Sequence, residues 1–231
     1  MQFPHKFSDP NNIELTAFVS ALFAYGKINQ IISTLNKFIQ LSENNPYEYL
    51  LHFDKRSKIH FSHRFYSNDD IKNLFLAINF FIKKYGSIKK VFLRGYSAED
   101  KNLKNAITNF SNTFLSYFKD QEIEINHALK FMFPLPTKGS ACKRLNLFLR
   151  WMIRKDNIDF GLWSEIPKNK LIIPVDTHIA RISKKLRLTK RKIVSWNMAE
   201  EITENLKKFD SNDPVKYDFS LCHIGIKKSK F

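Results

Sequence analysis

Apolar residues recur at helical spacing along most of this chain. Ile13, Ala17, Phe18, Ala21, Leu22 and Tyr25 follow an Asp9-Pro10-Asn11-Asn12 start and run to Gly26, with Asn11 or Asn12 as the cap and Glu14 in the first turn. Ile31, Ile32, Leu35, Phe38 and Ile39 mark a second helix from Ile28 to about Leu41. Residues 42–68 show no helical period, and Lys58–Phe65 alternates like a short extended piece. Asn68-Asp69-Asp70 caps a helix with Ile71, Leu74, Phe75, Ile78, Phe81 and Ile82 on one stripe, ending at Gly86. A loop around Arg94-Gly95-Tyr96-Ser97 precedes a helix over 99–119, whose stripe is Leu103, Ile107, Phe110, Phe114 and Phe118. No internal repeat interrupts the pattern. The fold class is all-α, built from short amphipathic helices.

The second half carries the more unusual punctuation. Phe133-Pro134-Leu135-Pro136-Thr137-Lys138-Gly139-Ser140 reads as a tight connection, with Ser140 as N-cap of a helix over Ala141–Lys155. That helix has an apolar face (Leu145, Phe148, Leu149, Met152, Ile153) and a basic one (Lys143, Arg144, Arg150, Arg154, Lys155). A glycine turn opening a helix presents backbone N–H groups to an anion. Further on, the apolar run Leu171–Val175 ends in Asp176-Thr177-His178, with Asp176 where an N-cap belongs. Ile179, Ile182, Leu186 and Leu188 continue as an apolar stripe, and His178, Arg181, Lys184 and Lys185 form the polar side. Asp213-Pro214 begins another helix that Gly225 would end; Tyr217 and Asp218 on it take a structural role.

Composition narrows the classes. With 43% hydrophobic and 26% charged residues the chain of 231 is globular. Two cysteines, Cys142 and Cys222, exclude a disulfide scaffold and a four-thiolate zinc or iron–sulfur site. The start MQFPHKFSDP lacks a signal peptide's apolar segment, and no run reaches the ~18 apolar residues of a membrane span, so a cytoplasmic protein without membrane contact is expected. The net charge is +16, unevenly spread: residues 1–137 carry 17 basic and 12 acidic side chains, residues 138–231 carry 21 and 10. A strongly positive half suits a polyanion, most often nucleic acid; the plain alternative is a lysine-rich surface from an AT-rich genome.

Pro174-Val175-Asp176-Thr177-His178-Ile179-Ala180-Arg181 resembles the (V)DTH-x-x-R signature of the helix-hairpin-helix DNA glycosylases, the superfamily of endonuclease III and the 8-oxoguanine DNA glycosylases. Lys143-Arg144-Leu145-Asn146-Leu147-Phe148-Leu149 is similar to the segment that follows their hairpin and begins with the catalytic lysine. The resemblance covers residues ~130–190. The turn Pro136–Cys142 departs from the L-P-G-V-G hairpin and is longer by about two residues. Residues 143 and 176 lie 33 apart, a long separation similar to the archaeal 8-oxoguanine branch, which has no iron–sulfur cluster. The phrases GSACKRLNLFLRWMIR and DPVKYDF are also similar to those of uncharacterised bacterial proteins.

The resemblance implies a DNA glycosylase with abasic-site (AP) lyase activity that removes an oxidised purine such as 8-oxoguanine from double-stranded DNA. It would work as a monomer and need no cofactor or metal. Lys143 would be the nucleophile, with Lys138 as the alternative, and Asp176 the catalytic carboxylate. Cleaving an N-glycosidic bond develops positive charge on the sugar, which a carboxylate stabilises, and a deprotonated lysine at the anomeric carbon leaves a Schiff base. Lys138, Gly139, Ser140, Arg144, Arg150, Arg154, His178 and Arg181 would contact DNA. Phe148 and Trp151 would wall the pocket for the flipped base, with Phe23 and Trp163 also available.

The implied architecture has two helical lobes with a DNA cleft between them: residues 1–45 with 140–231, and residues 65–135, with the hairpin and catalytic helix (133–155) at their boundary. Two other functions fit parts of the sequence: a non-catalytic nucleic-acid-binding protein, and a metal-dependent hydrolase using His60, His63, Asp69 and Asp70.

The charge distribution predicts salt-sensitive binding to duplex DNA. Neutralising about five phosphates gives a log–log slope of roughly −4 to −5 in a salt titration. A slope near zero would remove nucleic acid as the partner.

Overall fold

The computed structural model describes residues 2–227, the side chains of 225–227 excepted. The described residues form α1 (Pro10–Leu22), α2 (Ile28–Leu41), α3 (Pro46–Leu51), α4 (Asn68–Tyr85), α5 (Ile88–Leu93), α6 (Lys104–Asp120), α7 (His127–Met132), α8 (Lys143–Ile153), α9 (Thr177–Lys185), α10 (Trp196–Lys207) and α11 (Asp218–Lys227). They contain no strand, only the isolated bridges His63–Tyr66 and Lys155–Phe160. The protein is mainly helical, and none of these helices is long and apolar enough to cross a membrane.

The helix starts follow local capping chemistry. Asp9, not Asn11 or Asn12, caps α1: its carboxylate accepts from Asn12 N at 2.8 Å, and Pro10 takes the first position, where no N–H is needed. Ser67, one residue ahead of the expected Asn68, caps α4 through a reciprocal box with Asp70. Gly86 closes α4 at φ +90°, a left-handed position that suits glycine. The expected helix over 99–119 begins at Lys104, where Asn102 Oδ1 accepts from the Lys104 N–H at 3.0 Å. Residues 42–68 hold the short α3, and 58–65 is not a strand. There His63 and Tyr66 exchange backbone hydrogen bonds across a turn.

The chain forms two compact units. One runs to Gly95 and resumes over Asn109–Pro134; the other comprises Tyr96–Thr108 and the described residues from Leu135 onward. Residues 1–45 therefore cluster with 65–95 and 109–134 and not, as expected, with 140–231. The cause is α1, which is buried on every side from Ile13 to Leu22. Phe18 meets Phe110 and Phe114 with ring centroids 5.8 Å from each. Buried Glu14 accepts from the N–H groups of Ile88 (2.8 Å) and Lys89 (3.2 Å), which caps α5 from within the same unit.

The second unit is organised around α8. Past its end the chain folds back, with Phe160 N donating to Trp151 O and Trp163 N to Met152 O, both at 2.8 Å. The run Leu171–Val175 is buried throughout, and its Ile173 N–H donates to Thr203 Oγ1 of α10 at 3.0 Å. It delivers the chain to the start of α9, which packs against α11.

Candidate functional site

Lys143 and Asp176 meet. The Lys143 Nζ lies 3.1 Å from Asp176 Oδ2, and the side chains remain 39% and 21% exposed. Asp176 is the N-cap of α9: its Oδ1 accepts from the N–H groups of His178 and Ile179, each at 2.9 Å. One carboxylate oxygen is thereby fixed by backbone and the other turned to the lysine. Burial pushes the Asp176 carboxyl up, but the Ile179 N–H, the Lys143 ammonium and the His178 N–H outweigh it, and the net direction is down. The carboxylate stays ionised. Such a pair sets an amine, nucleophilic once its proton is lost, beside a fixed negative charge.

Lys143 is the first residue of α8, yet Ser140 is not its cap. The turn Pro136–Lys138 is followed by Gly139 at φ +87°, and the N-cap is Cys142, itself left-handed at φ 47° with no side-chain cap bond. Ser140 Oγ accepts from Cys142 N at 3.2 Å instead. The two extra turn residues move the helix start from Ala141 to Lys143. Burial pushes the Cys142 thiol up to about 12, so it remains protonated and inert. Lys138 and Gly139 are exposed, and a Cβ on Gly139 would meet nothing within 4 Å. Arg181 is exposed and His178 half-buried.

Three expected DNA contacts lie inside. Arg144, Arg150 and Arg154 are 6%, 5% and 6% exposed. Arg150 donates to Asp159 at 3.2 Å and pairs with Asp218. Arg154 reaches Asp213 at 2.9 Å and Asp156 at 2.8 Å, and also pairs with Asp159. Arg150 and Arg154 are therefore turned towards carboxylates of the 156–159 turn and of the segment leading into α11, not towards solvent, while Lys143 and Lys155 of the same basic face stay accessible. Burial pushes the Asp159 carboxyl up against the pull of both arginines, and the Asp218 carboxyl up against that of Arg150. For Arg154, burial opposes the charge, but Asp213 and Asp159 prevail and hold the guanidinium protonated.

The base-pocket assignment also changes. Phe148 and Trp151 are buried, and Phe148 packs edge-on against Trp163 with centroids 5.2 Å apart. Phe23 belongs to the other unit, fully buried and stacked on His63. These rings are core. The alternative metal set is not assembled either. Buried His63 sits 2.9 Å from the Thr34 hydroxyl and 3.1 Å from the Tyr25 carbonyl, and Asp70 is occupied by Ser67 and Asn126. No three His, Cys, Asp or Glu side chains among the described residues are placed to hold a metal ion.

Two residues near the pair carried no functional expectation. Asp218 and Cys222 lie on α11, and both feel the charges of Asp176 and Lys143. Burial first, then Asp176 and Asp218, pushes the Cys222 thiol up. The phrase DPVKYDF, which contains Asp218, was the available signal; nothing in the sequence marked Cys222.

The family model described as "Protein of unknown function (DUF2400)" matches residues 1–227, and the chain belongs to that family. This corrects the expected membership of the helix-hairpin-helix glycosylases, which no family match supports. A capping aspartate before an amphipathic helix, together with a basic helix after a glycine turn, was enough to produce the resemblance. Comparisons with curated proteins and with solved structures return no match.

Removing one member of a buried ion pair leaves the other charge uncompensated. Arg154→Ala should therefore lower unfolding free energy by about 3–5 kcal/mol in urea titration. Lys138→Ala, on the exposed turn, should stay within about 0.5 kcal/mol. A loss below ~1 kcal/mol for Arg154→Ala would mean that this cation is solvated and free to contact a phosphate.

Proposed function

We propose that this DUF2400 protein processes damaged DNA, as a monomeric glycosylase and AP lyase with Lys143 as the amine nucleophile and Asp176 as its carboxylate partner. An oxidised purine, 8-oxoguanine among them, is the substrate class. The single observation that carries this function is the 3.1 Å pair of a half-exposed lysine and a half-buried, ionised aspartate. Each sits at the start of a different helix, in the half of the chain with the larger basic excess. Arg150 and Arg154, on the same stretch, are paired with carboxylates inside the fold.

The chemistry balances with these two groups and water. Lys143 loses its proton to solvent, and its nitrogen lone pair forms a bond to the sugar C1′. The base leaves with the glycosidic electron pair and takes the proton shed by the C1′-bound amine, and the Asp176 carboxylate, ionised throughout, opposes the positive charge that develops on the sugar. Opening of the ring C1′–O bond, with a solvent proton going to the ring oxygen, gives the protonated imine. Loss of a C2′ proton then expels the 3′ phosphate, and water releases the aldehyde and regenerates the lysine. In this scheme Lys138, exposed on the turn before α8, contacts a phosphate.

A second function, nucleic-acid binding without catalysis, is favoured by the burial of Phe148 and Trp151, which leaves the expected base pocket unbuilt.

Borohydride trapping on duplexes that carry 8-oxoguanine or an abasic site separates the two. Wild type should give a covalent adduct, and Lys143→Gln should fold, bind and give none. Lys138→Gln should bind more weakly and still trap. Asp176→Asn caps about as well as the aspartate, so the variant should fold normally. Its base release should fall by roughly 100-fold or more if the charge stabilises the sugar cation. Binding without any adduct in wild type, or undiminished activity in folded Asp176→Asn, would favour the non-catalytic function.

A further inference from the structure

The densest positive charge on the chain lies outside the site described above. Six of the nine residues from 184 to 192 are cationic: Lys184, Lys185, Arg187, Lys190, Arg191 and Lys192. Immediately after them come two apolar residues that the fold leaves in water, Ile193 at 79% exposure and Val194 at 39%. A single exposed apolar side chain is ordinary on a protein surface. An adjacent Ile-Val pair at the end of a cationic loop is a different object, provided the loop holds its shape.

The loop is held at both ends and in the middle. Leu188 and Thr189 are buried; Leu188 N donates to Ser183 O at 2.8 Å, and its carbonyl accepts from Asn205 at 2.9 Å. Glu201 of α10 gathers the turn: it accepts from the Thr189 hydroxyl (3.1 Å) and the Lys190 N–H (3.2 Å), and pairs with Arg191 at 3.0 Å. Lys184 reaches the Lys192 carbonyl at 2.8 Å. Beyond the tip, Ser195 caps α10, and the Trp196 N–H donates to the Gly139 carbonyl at 3.0 Å. The apolar tip is thus joined by one hydrogen bond to the glycine turn that leads into Lys143.

We propose that the loop from Leu188 to Ser195 is a wedge for double-stranded nucleic acid. Lys190 and Lys192 engage phosphates on either side of a base step, and Ile193 with Val194 enters the step and unstacks it. A rigid apolar tip is stable in water only at the cost of its hydration, and the space between two bases removes that cost. Flanking cations match the phosphates that line such a step, and unstacking is the deformation that brings a nucleotide out of a duplex. The wedge rests on the DNA-processing function proposed above for its purpose, but its action on duplex stacking is measured separately from any covalent chemistry.

The test uses the full chain and a duplex with 2-aminopurine beside a tetrahydrofuran abasic analogue, whose fluorescence rises when the base unstacks. Wild type should raise the fluorescence several-fold on binding. Ile193→Ala/Val194→Ala, whose side chains support no core, should keep its helical circular dichroism, lose the rise and bind roughly tenfold more weakly. Lys190→Ala/Lys192→Ala should keep the rise at saturation and reduce the magnitude of the salt slope by about 2. An undiminished rise in the Ile193/Val194 variant overturns the wedge. So does binding of wild type to phosphatidylserine vesicles, lost in that variant while duplex binding is unchanged, which would assign the tip to a membrane surface. Wild type that unstacks the duplex yet gives no borohydride adduct would defeat the lysine chemistry and leave the wedge standing.

Discussion

Two arginines on one face of α8 are shut away from water, and the second unit is arranged to keep their charges compensated. A buried guanidinium without a carboxylate would cost several kcal/mol, so Arg150 and Arg154 draw in acidic residues from distant parts of the chain. Asp159 comes from the turn just beyond the helix; Asp213 and Asp218 come from 59 and 68 residues further along. This requirement ties the end of α8 to the start of α11. Because α11 packs on α9, it also fixes the helix that Asp176 caps. The meeting of Lys143 with Asp176 is the far end of that chain of constraints.

The same physics explains which parts of the site were legible beforehand. Asp176 is a local feature: an apolar run, then a polar residue with an oxygen acceptor, then a periodic stripe, and its capping bonds to His178 and Ile179 follow from that. Helix periodicity similarly marked α4, whose whole apolar stripe is buried, and α2, where Leu35, Phe38 and Ile39 are buried while Ile31 and Ile32 stay partly exposed. What could not be read locally was the direction in which a basic face points. Arg150 and Arg154 have the spacing of a solvated or phosphate-binding face, and only the arrival of Asp213 and Asp218 turns that face inward. Phe148 and Trp151 were misplaced for the same reason, since nothing nearby in sequence announces Trp163 as the partner that closes over Phe148. The grouping of residues 1–45 depended on α1 being buried all round, its Glu14, Thr16 and Ser20 included, which calls for neighbours on every side and not for a seat at a lobe boundary.

Burial sorts the basic excess of residues 138–231 into two populations. Arg150 and Arg154 neutralise internal carboxylates and leave no charge for a partner. Lys138 of the turn and the lysines and arginines of the 184–192 loop remain at the surface, in the same unit as a lysine–aspartate pair that is only half covered. On the proposed function, polyanion attraction and covalent chemistry fall to different cations of one unit, and the reacting lysine is set apart by its carboxylate partner.

Mapping the covalent adduct tests the central claim most directly. Wild type would be reduced with borohydride in the presence of abasic duplex, digested, and the peptides sequenced by mass spectrometry. The sugar remnant should sit on Lys143, the lysine held 3.1 Å from Asp176. A remnant on Lys138 or on the 184–192 lysines, with Lys143 unmodified, would contradict the assignment of the Lys143–Asp176 pair as the reactive centre.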